Sequence, residues 1–310
     1  MVAAVPHATH VWRFQPHPEV WLLLVALVGL YLWAIRVVGR KVVTDGPVIS
    51  GRQKAAGVTA IVLLWLASDW PVHDIGEQYL YSVHMVQHTL LSLIIPPLAL
   101  IATPRWLADL VLGDGRVRAV VRAASRPLIA GIAFNLTVML THWPVLVNAS
   151  SSNGALHYGV HVLVVVTGLM MWMPICGPIA EWRMTPPAQM VYLFLMSVIP
   201  TIPGGWLTFA DGAVYQVYDT STRAYGITVQ DDQQAAGVIM KLFAGGYLWT
   251  LITIMFFRFA LGHQREEEAL SRAARLPAAP AADGPLTFEA VEEAFASSAP
   301  RAEPGRSARS

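Results

Sequence analysis

The chain has almost no cysteine. Cys176 is its one thiol, so neither an internal disulfide nor a thiolate cluster can form, and any metal must be held by His, Met, carboxylate or backbone groups. Charge is nearly as scarce. Asp, Glu, Lys and Arg make up 13% of the residues, where soluble domains carry about 25%. That excludes an ordinary soluble globule. The acids and bases almost cancel, and the formal net charge of +1 says little about partners; no nucleic-acid partner is expected. The N-terminus, MVAAVPHATHVW, lacks a basic run ahead of an apolar core, so no cleavable signal peptide is expected. What abounds is apolar: 55% hydrophobic residues and a mean hydropathy of +0.49. The expected fold class is all-α, a polytopic membrane helix bundle of one domain embedded in a lipid bilayer.

Hydropathy predicts seven transmembrane helices over residues 19–262, behind an extracytoplasmic leader at 1–18 that carries His7, His10 and His17. The expected spans run from about Val20 to Val38, Ala55 to Ala67, Tyr81 to Pro104, Leu128 to Thr141, His157 to Pro174, Ala188 to Phe209 and Ala235 to Leu261. Pro96 and Pro97 should kink the third span or end its regular part. Pro200, Pro203 and the Gly204-Gly205 pair should break the sixth. Between the third and fourth lies WLADLVLGDGRVRAVVRAASRP, which mixes Leu and Val with Arg116, Arg118, Arg122 and Arg126. It reads as a basic amphipathic segment on the membrane surface. VLVNASSSNGAL reads as an uncharged loop. Residues 263–310 turn to Ala, Pro, Arg, Glu and Ser, and a disordered cytoplasmic tail is expected there. A short helix over Leu286 to Phe295 is the one exception the pattern allows.

The basic residues set an orientation, because cytoplasmic connections carry the excess of Lys and Arg. Arg36, Arg40, Lys41 and Arg52, the basic segment, Arg183 and the tail fall on one side. The other connections hold acids and histidines, with Arg13 and Arg223 as exceptions. The N-terminus is therefore expected outside and the C-terminus in the cytoplasm.

This orientation gathers the histidines. His84 and His88, four residues apart, stand in the first turns of the third span, and His157 and His161 repeat the pattern in the fifth. Residues at that spacing share one helix face. His142 ends the fourth span. Of the ten histidines, all but His263 fall on or near the outer side. Met85, Met139 and Met240 lie on three different helices. Imidazole suits copper and zinc, and thioether favours Cu(I), so His84, His88, His142, His157 and His161 are candidate metal ligands, with Met85, Met139, Asp232 and Met240 as auxiliaries. The competing reading is interfacial histidines and gap-filling methionines. Asp231 and Asp232 open the last span, where acids either orient imidazoles or cap the helix. Lys241, inside that span, pairs with an acid, snorkels or serves as an amine nucleophile. No catalytic residue stands out, and the chain is not expected to be an enzyme.

At these residues the chain resembles the CtaG-type cytochrome c oxidase assembly factors of bacterial membranes. The resemblance is carried by HMVQHTLLSLIIPPLALIATP from His84 to Pro104, THWPV from Thr141 to Val145, and HYGVHVLVVVTGLMMWMP from His157 to Pro174. GGWLTFADGAVYQVY from Gly204 to Tyr218 and DDQQAAGVIM from Asp231 to Met240 also carry it. It implies a plasma-membrane chaperone that matures a haem-copper oxidase through copper delivery, with oxidase subunits and an extracytoplasmic copper donor as partners. Lys241 departs from the pattern, standing where an apolar or aromatic residue is expected. Two other classes remain open at this point. A haem protein would use imidazoles on facing helices as axial ligands, and a metal transporter would use the broken helices as a path. A retinal protein would need a carboxylate counter-ion, and the third span offers no acid.

Overall fold

The computed structural model describes residues 11–219, 223–275 and 287–298. Its described residues form helices and turns without a strand. Six helices are long and apolar enough to cross a membrane, and a seventh arises if the bent pair Arg116–Ala124 and Pro127–Thr141 counts as one span. The chain divides into two units, Met1–Phe259 and Ala260–Ser310.

The Tyr81–Ala102 span is the axis of the first unit, and 67% of its most apolar stretch is buried. It is helical over Tyr81–Thr89 and Ile95–Ala102, with a wide π turn at Leu90–Ile94 between them. The cause lies in the sequence. Pro96 and Pro97 have no N–H for the carbonyls a turn earlier, and their rings press on those carbonyls. The break therefore comes before the prolines, which start the second helix. The Gly51–Ser68 and Gly154–Cys176 helices both pack on Ile95–Ala102, and Pro127–Thr141 packs on Gly154–Cys176. Thr201–Thr208 packs against Val229–Val238, which also touches Tyr81–Thr89. Leu93, Phe134, Met171, Trp172, Leu193 and Met196 build the main apolar core.

Several boundaries differ from the sequence reading. The second span starts at Gly51, where the Ser50 hydroxyl and the Gln53 side chain form a capping box. That cap adds a turn of polar residues which hydropathy alone does not count. The basic surface segment is two amphipathic helices, Arg105–Leu112 and Arg116–Ala124. The second meets Pro127–Thr141 at 68°. The uncharged loop after Trp143 contains a helix, Pro144–Ser151, with proline at its first position, where a missing N–H costs nothing. The sixth span is broken as expected, into Pro186–Val198 and Thr201–Thr208. The last helix does not end near Leu261 but continues as Gly245–Arg275. Glu, Arg and Ala are strong helix formers and extend it with no need of burial. In the second unit a further helix covers Phe288–Ser298, close to the one the pattern allows over Leu286 to Phe295. The remainder of the expected disordered tail lies outside the described residues, as do His7 and His10 of the leader. The leader's Val11 is buried in a small cluster with Ile75, Leu80 and Ala224.

Candidate metal site

The two histidine pairs face each other. Within each pair the ring centroids are 4.3 Å apart. Across the helices His161 lies 5.6 Å from His84 and 5.1 Å from His88. His84, His88 and His161 each offer one ligand nitrogen, and these atoms lie within 4.8 Å of one another. His84 Nδ1, His88 Nε2 and His161 Nε2 are buried with no hydrogen-bond partner. Unpaired buried polar atoms are costly, and three neighbouring imidazoles that each keep such a nitrogen suit a shared cation. The donor set fits copper or zinc, both of which accept imidazole nitrogen.

The helix carrying His84 and His88 is fixed at its start. Asp232 accepts hydrogen bonds from the Tyr81 N–H at 2.6 Å and the Ser82 N–H at 3.1 Å. Its carboxylate thus caps this helix rather than touching an imidazole. Above lies an aromatic layer, in which Tyr81 stands 4.6 Å from Tyr215 and 5.2 Å from Tyr218. The Tyr215 hydroxyl donates to the His142 carbonyl at 2.9 Å.

The other candidates separate. His157 belongs as much to a second group, His73–Glu77–His157, with its Nε2 3.9 Å from Glu77. His73 Nε2 lies 3.0 Å from Glu77 Oε2. Gln87 decides the tautomer there. Its amide donates to the Ala67 carbonyl at 2.7 Å and reaches His73 Nδ1 at 3.1 Å. An amide N–H at Nδ1 makes that nitrogen the acceptor, so the proton sits on Nε2 and is donated to Glu77. His73 Nε2 is thereby committed, and this group is a carboxylate–imidazole support behind the trio rather than an equivalent site. His142 contacts Met85, with Nε2 3.2 Å from Sδ. Met85, Met240 and His142 line a cavity of about 60 Å³ together with His88. Met139 is half-buried and is not among the residues lining that cavity. Lys241 Nζ lies 6.0 Å from the Phe209 ring centre.

Sequence patterning does not single out His73, Glu77 and Gln87 as part of a site. The signal was present: His73 and Glu77 stand four apart, the same spacing as the two histidine pairs. His17 was placed only in the leader, yet its ring stands 5.1 Å from that of His73.

A bundle of membrane-length helices with a buried imidazole cluster in the first turns of two facing helices defines a polytopic membrane protein with a metal-competent site. Residues 29–261 match the family model of the cytochrome c oxidase caa3 assembly factor, Caa3_CtaG. The chain belongs to this family, as the resemblance implied, and its family is one of oxidase assembly factors, which points to a non-catalytic role. No curated protein and no solved structure matches the chain.

Proposed function

We propose that this chain binds copper at the outer face of a bacterial plasma membrane and passes it to a subunit of a haem-copper cytochrome c oxidase. The observation that carries the proposal is the trio His84, His88 and His161, whose ligand atoms lie within 4.8 Å of one another and each of which keeps a buried nitrogen without a hydrogen-bond partner. Family membership supplies the oxidase. Copper is preferred to zinc because thioethers of Met85 and Met240 adjoin the imidazoles and thioether favours Cu(I). The trio holds the ion with three protein ligands, and the open position serves exchange with an extracytoplasmic donor and with the oxidase. The charge pattern supports an N-terminus outside and a C-terminus in the cytoplasm. The chain acts as a chaperone and not as an enzyme.

The test is metal analysis of protein from copper-supplemented cells, with oxidase levels measured in the same strains. Wild type should hold at least about one copper per chain. His84→Ala/His88→Ala should lose it and lower oxidase assembly while the helical content stays unchanged. Full copper and normal oxidase in that variant would sink the proposal. A Soret band in the purified protein would favour a haem role instead.

A further inference from the structure

His142 and Met85 meet in an arrangement that hydrogen bonding does not explain. His142 Nδ1 lies 2.7 Å from the Val138 carbonyl oxygen. A carbonyl only accepts, so Nδ1 carries the ring proton. In the neutral ring Nε2 is then a bare lone pair, and it lies 3.2 Å from Met85 Sδ. A thioether has no proton to give either. Two electron-pair donors thus face each other with no hydrogen between them. Both are buried, His142 at 5% and Met85 at 2% exposure. Met196, which borders the same cavity, differs: its sulfur accepts from Asn135 Nδ2 at 3.2 Å.

A Lewis acid between Nε2 and Sδ removes the conflict. With zinc–imidazole and zinc–thiolate lengths of about 2.0–2.1 Å and about 2.3 Å as a scale, a nitrogen and a sulfur on one ion stand about 3.5 Å apart in a tetrahedral site. The observed 3.2 Å is within a few tenths of an ångström of that. The cavity of about 60 Å³ leaves room for the ion, and Met240 and His88 line it as well. We propose that His142 Nε2 and Met85 Sδ, with Met240 beside them, form a second metal site, soft and selective for Cu(I), adjoining the imidazole trio. Thioether selects Cu(I) over harder divalent ions. His88 is a member of the trio and also lines this cavity, so an ion can pass from one site to the other by exchanging neighbours out of contact with water. The ion enters and leaves as Cu(I), and no electron is transferred. That passage rests on the copper reading of the trio; the thioether site itself does not.

The experiment uses the full chain in detergent without oxygen, titrated with Cu(I) against a competing Cu(I) chelator and examined by X-ray absorption at the copper edge. Wild type should bind two ions and show a sulfur shell. The shell should persist in Cys176→Ser, which assigns it to thioether. Met85→Leu, which nearly conserves volume, should lose the sulfur shell and weaken one of the two ions by at least about tenfold. His84→Ala/His161→Ala should lose the other ion and keep the sulfur shell. Met240→Leu gives a second reading if Met85→Leu fails to fold: it should lower the sulfur count. Only nitrogen and oxygen neighbours in wild type, or a Met85→Leu protein with both affinities and its sulfur shell intact, would overturn the inference. In that event a trio that still holds copper leaves the assembly reading standing. A trio without copper beside an intact sulfur shell would instead uphold the thioether site and remove the copper reading of the trio.

Discussion

A side chain at Gly76 would crowd the backbone of His84. A Cβ there would lie 3.0 Å from the His84 nitrogen and 3.1 Å from its Cα. Gly76→Ala should therefore displace His84, a ligand in the proposed copper site, without touching any imidazole. Copper affinity should fall by about tenfold or more, the usual scale for disturbing the surroundings of a ligand, as read by chelator competition. Gly159→Ala, whose Cβ meets nothing within 4 Å, is the control and should leave affinity unchanged. A second effect at this scale depends on pH. His17 is bonded to Asp74 at 3.0 Å and to Glu19 at 3.1 Å. Burial lowers its pKa, but the two carboxylates outweigh burial and leave it raised above the ordinary 6.5. A raised folded pKa stabilises fully below about pH 6.5 and loses that contribution as pH climbs through the folded value. Asp74→Asn should thus lower stability at pH 6, by about 1.5 kcal/mol or more for a hydrogen bond to a charged group. The loss should shrink at pH 8, as measured by thermal unfolding at both values. The sequence displayed the histidines but not their proton assignments. Those depend on Gln87 and on the Val138 carbonyl, partners that only the packed helices bring near.

Helices meet most closely where glycine permits. At Gly168 a Cβ would stand 2.8 Å from the Ser92 carbonyl oxygen and 3.1 Å from the Pro96 ring, so the Gly154–Cys176 helix lies directly against the wide turn of the Tyr81–Ala102 span. That contact holds the two histidine pairs face to face. Gly168→Ala should force the helices apart and destabilise the protein by about 1–3 kcal/mol, the usual cost of overpacking. Thermal unfolding in detergent measures it, and retained wild-type stability would show that the contact yields. Hydropathy and proline made most spans legible, and the four-residue spacing made the paired faces legible. The break at Leu90–Ile94 was legible from Pro96 and Pro97, but the π turn at Ile239–Ala244 was not, because no proline stands after it and it answers to neighbouring helices as much as to local sequence. Nor was the Pro144–Ser151 helix, whose start depends on where Pro144 falls relative to the end of the preceding span. The continuation to Arg275 escaped hydropathy because the chain loses apolar residues there while keeping strong helix formers, and helix propensity needs no apolar partner.

Charge is segregated along the molecule. Away from the imidazoles, Arg105 is paired with Glu181 at 2.7 Å and with Asp109 at 3.1 Å, and Arg118 meets Asp109 at 2.9 Å. If the basic connections set the orientation, replacing Arg116, Arg118, Arg122 and Arg126 with Glu should weaken it. Reporter fusions after Arg275 would then report a mixed population, where the natural sequence should place the fusion in the cytoplasm only. The all-helical class and the family were legible from composition and motifs, because both depend on local residue patterns. The division of the five histidines among three neighbourhoods was not, since it depends on how helices distant in sequence are rotated against each other. The Pro127–Thr141 helix has 15 residues, about 22 Å at 1.5 Å per residue, while the hydrocarbon layer is about 30 Å thick. If this helix crosses the bilayer, the lipid on that flank must thin or the Arg116–Ala124 helix must tuck inward. Mismatch costs a fraction of a kcal/mol per ångström and sorts proteins by bilayer thickness. A short span of this kind would give the molecule a lateral address, favouring places where the membrane is thin, beside any neighbour that pinches the bilayer in the same way.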